Sequence, residues 1–153
     1  MSEKIITLLA DSFWKILLPG ITATIPLTII SFALALIIAT VTALVQFARV
    51  PVLTPLARFY IWIIRGTPLL VQLFVIFFGL PRIGVVLEPF PAAIIVFAVN
   101  TGAYDAETVR AALESVPRGQ LEAGECAGMT YWQTMRRIVL PQAMRTAFPS
   151  LSN

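Results

Sequence analysis

Apolar positions in this chain come in long runs, not in the alternation of a half-buried strand or the single stripe of a surface helix. From Ile16 to Ala48 no residue is charged, enough for about 50 Å of helix at roughly 1.5 Å per residue. The hydrocarbon core of a bilayer is only roughly 30 Å thick. The surplus predicts more than a single span, with a break at Pro19-Gly20 and a membrane helix over about 22–47 that has Pro26 near its start. A second apolar segment, about 59–80, carries Arg65 and closes at Gly79-Leu80-Pro81. The third, about 90–109, is apolar from Phe90 to Gly102 and then grades into charged helix. The pattern predicts an all-α, polytopic membrane protein with three crossings.

Composition agrees with that solvent. The chain is 58% hydrophobic and 12% charged, against roughly 45–50% and 25% for soluble domains, which excludes a soluble enzyme. Its 11 basic residues give a formal net charge of +3 but are scattered among apolar stretches, so no tract follows phosphates and nucleic acid is not an expected partner. Cys126 is the single cysteine, which excludes an intrachain disulfide, and there is no histidine. Without that residue the usual acid/base near neutral pH and the commonest metal ligand are lacking, so no catalytic residue and no metal site are expected. The N-terminal arm mixes Glu3, Lys4, Asp11 and Lys15, which does not match the basic start of a secretory signal.

Orientation follows from the short connections. The first holds Arg49 and the nearby Arg58, whereas the second balances Arg82 with Glu88, so the positive-inside rule puts the first in the cytoplasm. Alternation then gives an outside N-terminus and a cytoplasmic segment after the third crossing, where Arg110, Arg118, Arg136, Arg137 and Arg145 lie.

Two helices carry polar stripes inside these apolar segments. Arg58, Arg65, Gln72 and Gly79 recur every seven residues on one face of the second, beside Gly66-Thr67-Pro68, where the proline removes a backbone donor and predicts a kink. On the third, Asn100, Tyr104 and Glu107 form one stripe and Thr101, Asp105 and Thr108 the next. Such faces in a bilayer meet either packed protein or a watery path, and both readings stay open. Arg65, Gln72, Asn100, Thr101 and Tyr104 are the candidate path residues.

A segment over about 115–141 reads as two short helices. The first is entered at Ser115-Val116-Pro117 and closed by Gly128; the second starts at Thr130, with Gln133 at capping-box spacing, and stops at Pro141. Leu121, Met129, Tyr131, Trp132, Met135 and Ile138 are available for burial. Cys126 reads as an ordinary small residue.

These residues resemble a known family, the membrane permease subunits of ATP-binding-cassette importers. Their cytoplasmic loop carries Glu-Ala-Ala, three residues, Gly, nine residues and Ile-x-Leu-Pro, matched here by Glu122-Ala123-Gly124, Gly128 and Ile138-Val139-Leu140-Pro141. Gly124 departs from the family's alanine, which predicts a first helix looser by about 1 kcal/mol. The likeness continues through Arg65-Gly66-Thr67-Pro68-Leu69-Leu70-Val71-Gln72 and Asn100-Thr101-Gly102-Ala103-Tyr104, similar to the polar amino-acid branch and most similar to its cystine-type members.

The resemblance implies a type I importer transmembrane fold in a bacterial inner membrane. Its implied partners are a dimer of ATPase subunits, an extracytoplasmic solute-binding protein, an identical or related permease subunit and membrane lipid. ATP and Mg would be bound by the ATPases and no cofactor by this chain, which lacks a Walker-type glycine loop. Glu122, Ala123, Gly124, Gly128, Ile138, Leu140 and Pro141 would couple the permease to the ATPase. Family members usually have about five membrane helices, so with three the chain is expected to be an incomplete, C-terminally truncated permease. A small channel or ion-coupled carrier, with Arg65 and Asp105 on its path, and a non-transporting membrane anchor are the alternatives.

Overall fold

The computed structural model describes residues 2–152, without the side chains at positions 2–4, 6 and 9, so the charges expected at Glu3 and Lys4 lie outside the described residues. Eight α-helices run in order: α1 (Ser2–Pro19), α2 (Ile25–Phe47), α3 (Leu53–Arg65), α4 (Leu69–Phe74), α5 (Pro89–Glu114), α6 (Arg118–Cys126), α7 (Tyr131–Thr134) and α8 (Leu140–Leu151). No strand occurs among the described residues.

The predicted break at Pro19-Gly20 is not made. The chain stays helical from Ala10 to Phe47, 38 residues long and apolar enough to cross a membrane. A five-residue π turn, Gly20–Thr24, joins α1 to α2, and the Ile25 N–H reaches back to the Gly20 carbonyl. The same device recurs at Val75–Gly79 and Met135–Val139, where Leu80 bonds Val75 and Leu140 bonds Met135. In each case the next residue is a proline: Pro26, Pro81 or Pro141. A proline ring collides with the carbonyl four residues back in a regular α-helix; the extra residue of a π turn widens the helix at that point. Pro141 therefore does not stop the second cytoplasmic helix, which continues through the π turn into α8.

The segment expected as one helix over 59–80 starts earlier and is broken. Leu53–Arg65 and Leu69–Ile83 meet at an angle of 98° across residues 66–68. At 13 residues, α3 spans about 20 Å, too short to cross the hydrocarbon core alone. Pro68 causes the break, because it has no N–H to continue the ladder and disfavours helical backbone at Thr67. The second arm ends in a tight 3-10 turn, Leu80–Ile83, closed by Gly84 in the left-handed region at φ 85°.

Packing centres on α5, which lies against α2, α3, α4 and α8. One face of α2 carries Ser31, Ala35, Ala39 and Ala43, all buried, at helical spacing. On α5 these meet Gly102, Ala106 and Val109, also buried. Lipid tails are as apolar as leucine, so helices in a bilayer associate through close backbone approach over small residues. The opposite face of α2 leaves Ile29, Ile37 and Val41 exposed, which suits lipid. Threonines on this long helix return their hydroxyls to the carbonyl four residues back, as Thr22 does to Leu18 and Thr40 to Leu36. A second core forms where the C-terminal end of α5 meets α8: Val109, Leu113, Val116, Met135, Val139 and Ala143.

Candidate functional site

Polar side chains gather where the α3/α4 break faces α5. The break frees backbone carbonyls at the end of α3, and the Gln72 amide turns back to them. Its Nε2 donates to the Ile64 carbonyl at 2.9 Å, to Thr67 Oγ1 at 2.9 Å and to the Thr67 carbonyl at 3.2 Å. Asn100 Nδ2 on α5 donates in turn to Gln72 Oε1 at 3.2 Å. Gln72 thus caps one helix and ties the bend to another, a role that residue spacing alone did not indicate. Tyr60, which the polar stripes did not include, adds a second tie from α3, its hydroxyl donating to the Val99 carbonyl at 2.6 Å.

Arg65, in the last turn of α3, lies over the Tyr104 ring, 5.1 Å from its centroid. Among the described residues it forms no ion pair. The structure therefore brings together four of the five residues expected on a path: Arg65 with Tyr104, and Gln72 with Asn100. Thr101 is turned toward α2 instead, where it lines a separate cavity of about 270 Å³ with Thr24, Thr28 and Ser31. A single residue step along α5 rotates the side chain by about 100°, which separates it from Asn100.

Farther along α5, Arg110 is held by two acids. Its Nη2 donates to Glu107 at 2.8 Å and its Nη1 to both carboxylate oxygens of Glu114 at 2.8 Å.

The expected coupling segment is a helix–glycine–helix hairpin. Gly128 sits at φ 72°, and α6 closes in a Schellman arrangement: Met129 N–H bonds the Gly124 carbonyl at 3.0 Å and Gly128 N–H bonds Glu125 at 2.9 Å. The capping box at Thr130 is formed in both directions, with Gln133 N–H on the threonine hydroxyl and Thr130 N–H on the Gln133 amide. Glu122, Ala123, Gly128 and Pro141 are exposed, while Ile138 and Leu140 are partly covered and Leu140 packs on the core below α5. Of the apolar residues available for burial, Met135 is buried within this chain, and Leu121, Met129 and Ile138 are in part. Tyr131 and Trp132 are not: Trp132 is 74% exposed, and its ring pairs with that of Tyr131 at 6.2 Å.

Gly124 is buried and points inward. A Cβ there would lie 2.5 Å from Thr134 Oγ1 and 2.7 Å from its Cγ2, which brings α6 onto α7 at glycine distance. The structural reason for glycine in place of alanine is this contact, beyond helix propensity. Gly124→Ala is expected to cost about 1–3 kcal/mol by overpacking, and adding Thr134→Ala is expected to recover most of it. Thermal unfolding of the two variants in detergent checks this; a single variant as stable as the parent would show that the hairpin has slack.

Comparison with known proteins follows the same lines. Residues 34–153 match the family described as binding-protein-dependent transport system inner membrane component. The L-cystine transport system permease protein TcyB of Bacillus subtilis (strain 168) is 51% identical over 146 residues, covering 95% of this chain and 62% of its own length. The nopaline transport system permease protein NocM of Agrobacterium fabrum (strain C58 / ATCC 33970) is 37% identical, covering 97% and 65%. Thus the chain spans under two thirds of the length of these relatives. A crystal structure of an amino acid ABC transporter with histidines superposes with a TM-score of 0.79 at 35% identity, over 93% of this chain and 68% of that one. Given a helical fold shared with that transporter and a family match that runs from within α2 to the last residue, the chain belongs to the inner membrane components of binding-protein-dependent transport systems.

Proposed function

We propose that the chain is the membrane permease part of an ATP-driven importer for polar amino acids, with L-cystine as the first solute to test. The observation that carries the reading is the α6–Gly128–α7 hairpin: both helix ends are capped, its outer face presents Glu122, Ala123, Tyr131 and Trp132, and its inner side is packed through Gly124 and Met135. A rigid hairpin with exposed aromatic rings fits a groove on a partner protein. Carried by the core between α5 and α8, it would transmit nucleotide-driven closure of two ATPase subunits to the membrane helices.

In this reading the ATPases bind ATP and Mg and this chain is not an enzyme. The relatives' names, among them cystine and nopaline permeases, support an amino-acid solute. Arg65, an intramembrane cation that lies over the Tyr104 ring and forms no ion pair among the described residues, suits a passing carboxylate. A solute-binding protein delivers the solute from outside, and a second permease subunit completes the path. The chain crosses three times, through α2, the bent α3/α4 pair and α5, with the N-terminus outside and the hairpin in the cytoplasm.

Gly128→Asp tests the coupling role. Space around Gly128 is open, but its φ of 72° strains any side chain placed there, Asp less than most. The variant is expected to insert normally, to lose the ATPase on co-purification and to lose ATP-dependent cystine uptake by at least about tenfold, the effect of roughly 1.4 kcal/mol at the docking contact. Normal co-purification and uptake would remove the hairpin from the coupling path. Uptake driven by an ion gradient without ATP would instead make the chain a carrier.

A further inference from the structure

Where α2 ends and α3 begins, a cleft of about 370 Å³ opens against α5, lined by Gln46, Arg49, Arg58, Glu107, Arg110 and Glu114. It is distinct from the Gln72–Asn100 network and from the hairpin. Its two acids are both engaged by Arg110, whereas Arg49 and Arg58 form no ion pair among the described residues. Gln46 is 8% exposed, and its amide lies buried beside the Glu107 carboxylate. The wall therefore carries one net positive charge and two guanidinium groups that no ion pair among the described residues engages. Arg49 is also held in the left-handed backbone region at φ 51°, where residues other than glycine are uncommon and strain collects at functional positions.

We propose that this cleft binds the phosphodiester of an anionic membrane phospholipid. Guanidinium forks match phosphate oxygens, and one net positive charge matches the single negative charge of a phosphodiester. Lipid, not a soluble anion, is the occupant because of where the cleft lies. Gln46 is in the last turn of the long apolar helix, just before the first charged residue that follows it, Arg49. One turn from Arg58 on the same face of α3, Trp62 is 71% exposed and stacks near Phe59, as aromatic rings do at the membrane interface. Exposed Val52, Leu53 and Leu56 lie between the two arginines in the chain and offer an apolar surface for acyl chains. The inference needs the chain to lie in a membrane but not to transport anything.

The test is lipid retention by the full chain in mild detergent, with phosphatidylglycerol and phosphatidylcholine added in equal amounts and the bound lipid read by native mass spectrometry. The parent is expected to keep phosphatidylglycerol over phosphatidylcholine. Arg49→Gln with Arg58→Gln is expected to lower that retention by at least about tenfold, whereas Arg136→Gln with Arg137→Gln leaves it unchanged. Arg49→Gly, which relaxes the left-handed backbone while removing the guanidinium, is expected to unfold no earlier than the parent and still to lose lipid. Equal retention of the two lipids, an equal loss in the Arg136/Arg137 pair, or displacement by inorganic phosphate would overturn the proposal. So would unchanged retention in the Arg49/Arg58 pair with lost assembly of partner subunits, which would make the cleft a protein contact. None of these readouts depends on amino-acid uptake, so failure of the lipid site and failure of the transport reading are told apart.

Discussion

Gly102→Leu is expected to separate α2 from α5 and to destabilise the chain by about 3 kcal/mol or more, the largest effect of any single change considered for the bundle. A Cβ at position 102 would lie 2.9 Å from Ile38 Cγ2, 3.0 Å from its Cβ and 3.3 Å from the Ala35 carbonyl. The last of these is backbone, so the strain cannot be relieved by rotating a side chain. Even Gly102→Ala is expected to cost about 1–3 kcal/mol. Combining it with Ile38→Ala removes the contact with Cγ2 but leaves the Cβ at 3.0 Å and the Ala35 carbonyl at 3.3 Å, so the pair is expected to recover only part of that cost relative to Ile38→Ala alone. Thermal unfolding in detergent, with a disulfide cross-link between α2 and α5 to report their spacing, measures both results. A Gly102→Leu chain that melts with the parent and cross-links equally well would show that the two helices are not held at glycine distance.

The sequence shows only half of that contact. Residues 100–104 resemble amino-acid permeases, and Asn100, Thr101 and Tyr104 carry polar groups that are costly in a bilayer. Gly102 and the alanines of α2 carry no such signal. Small residues at every fourth position matter through what faces them, and a single sequence does not state which helix that is.

For Gln72, truncation is expected to act on the shape of the bend more than on solute affinity. Gln72→Leu removes the donor from the Ile64 and Thr67 carbonyls and the acceptor from Asn100. At roughly 1–3 kcal/mol for a buried polar group left without its partner, the total is about 3 kcal/mol even after some relaxation. Gln72→Glu is expected to be worse, since a carboxylate still accepts from Asn100 but has nothing to donate to the carbonyls it faces. The expected signature is a lower yield of assembled complex and a changed distance across the bend, measured between spin labels on α3 and α4, with little change in the KM of whatever transport remains. A raised KM with full assembly and an unmoved bend would instead put Gln72 in contact with the solute. Asn100→Leu separates the two parts of the network: Gln72 keeps its carbonyl acceptors, so only the tie to α5 is lost, and the expected loss is about 1 kcal/mol.

The amino-acid pattern by itself was enough for the membrane as solvent, for a helical fold, for the break near Pro68, for the Gly128 cap and for the capping box at Thr130. All of these are local: each depends on a run of apolar residues, on a missing N–H or on side chains within four residues of one another. The family was legible for a related reason, because the Glu122-to-Pro141 register is a spacing within one segment. Continuity of the helix at Pro19-Gly20 and through Pro141 was not legible, since a proline specifies only that the regular hydrogen bond is lost. Whether the chain then stops or widens into a π turn depends on the packing around it, as at Pro141, where Met135 and Val139 are buried against the end of α5. Likewise the sequence placed Arg65, Gln72 and Asn100 on polar faces, but the assembled bundle determined which carbonyls Gln72 caps, that Thr101 turns away, and that Arg49 and Arg58 share a cleft with Arg110. Those are contacts between segments far apart in the chain, and their geometry is set by how closely α2 and the α3/α4 bend can approach α5.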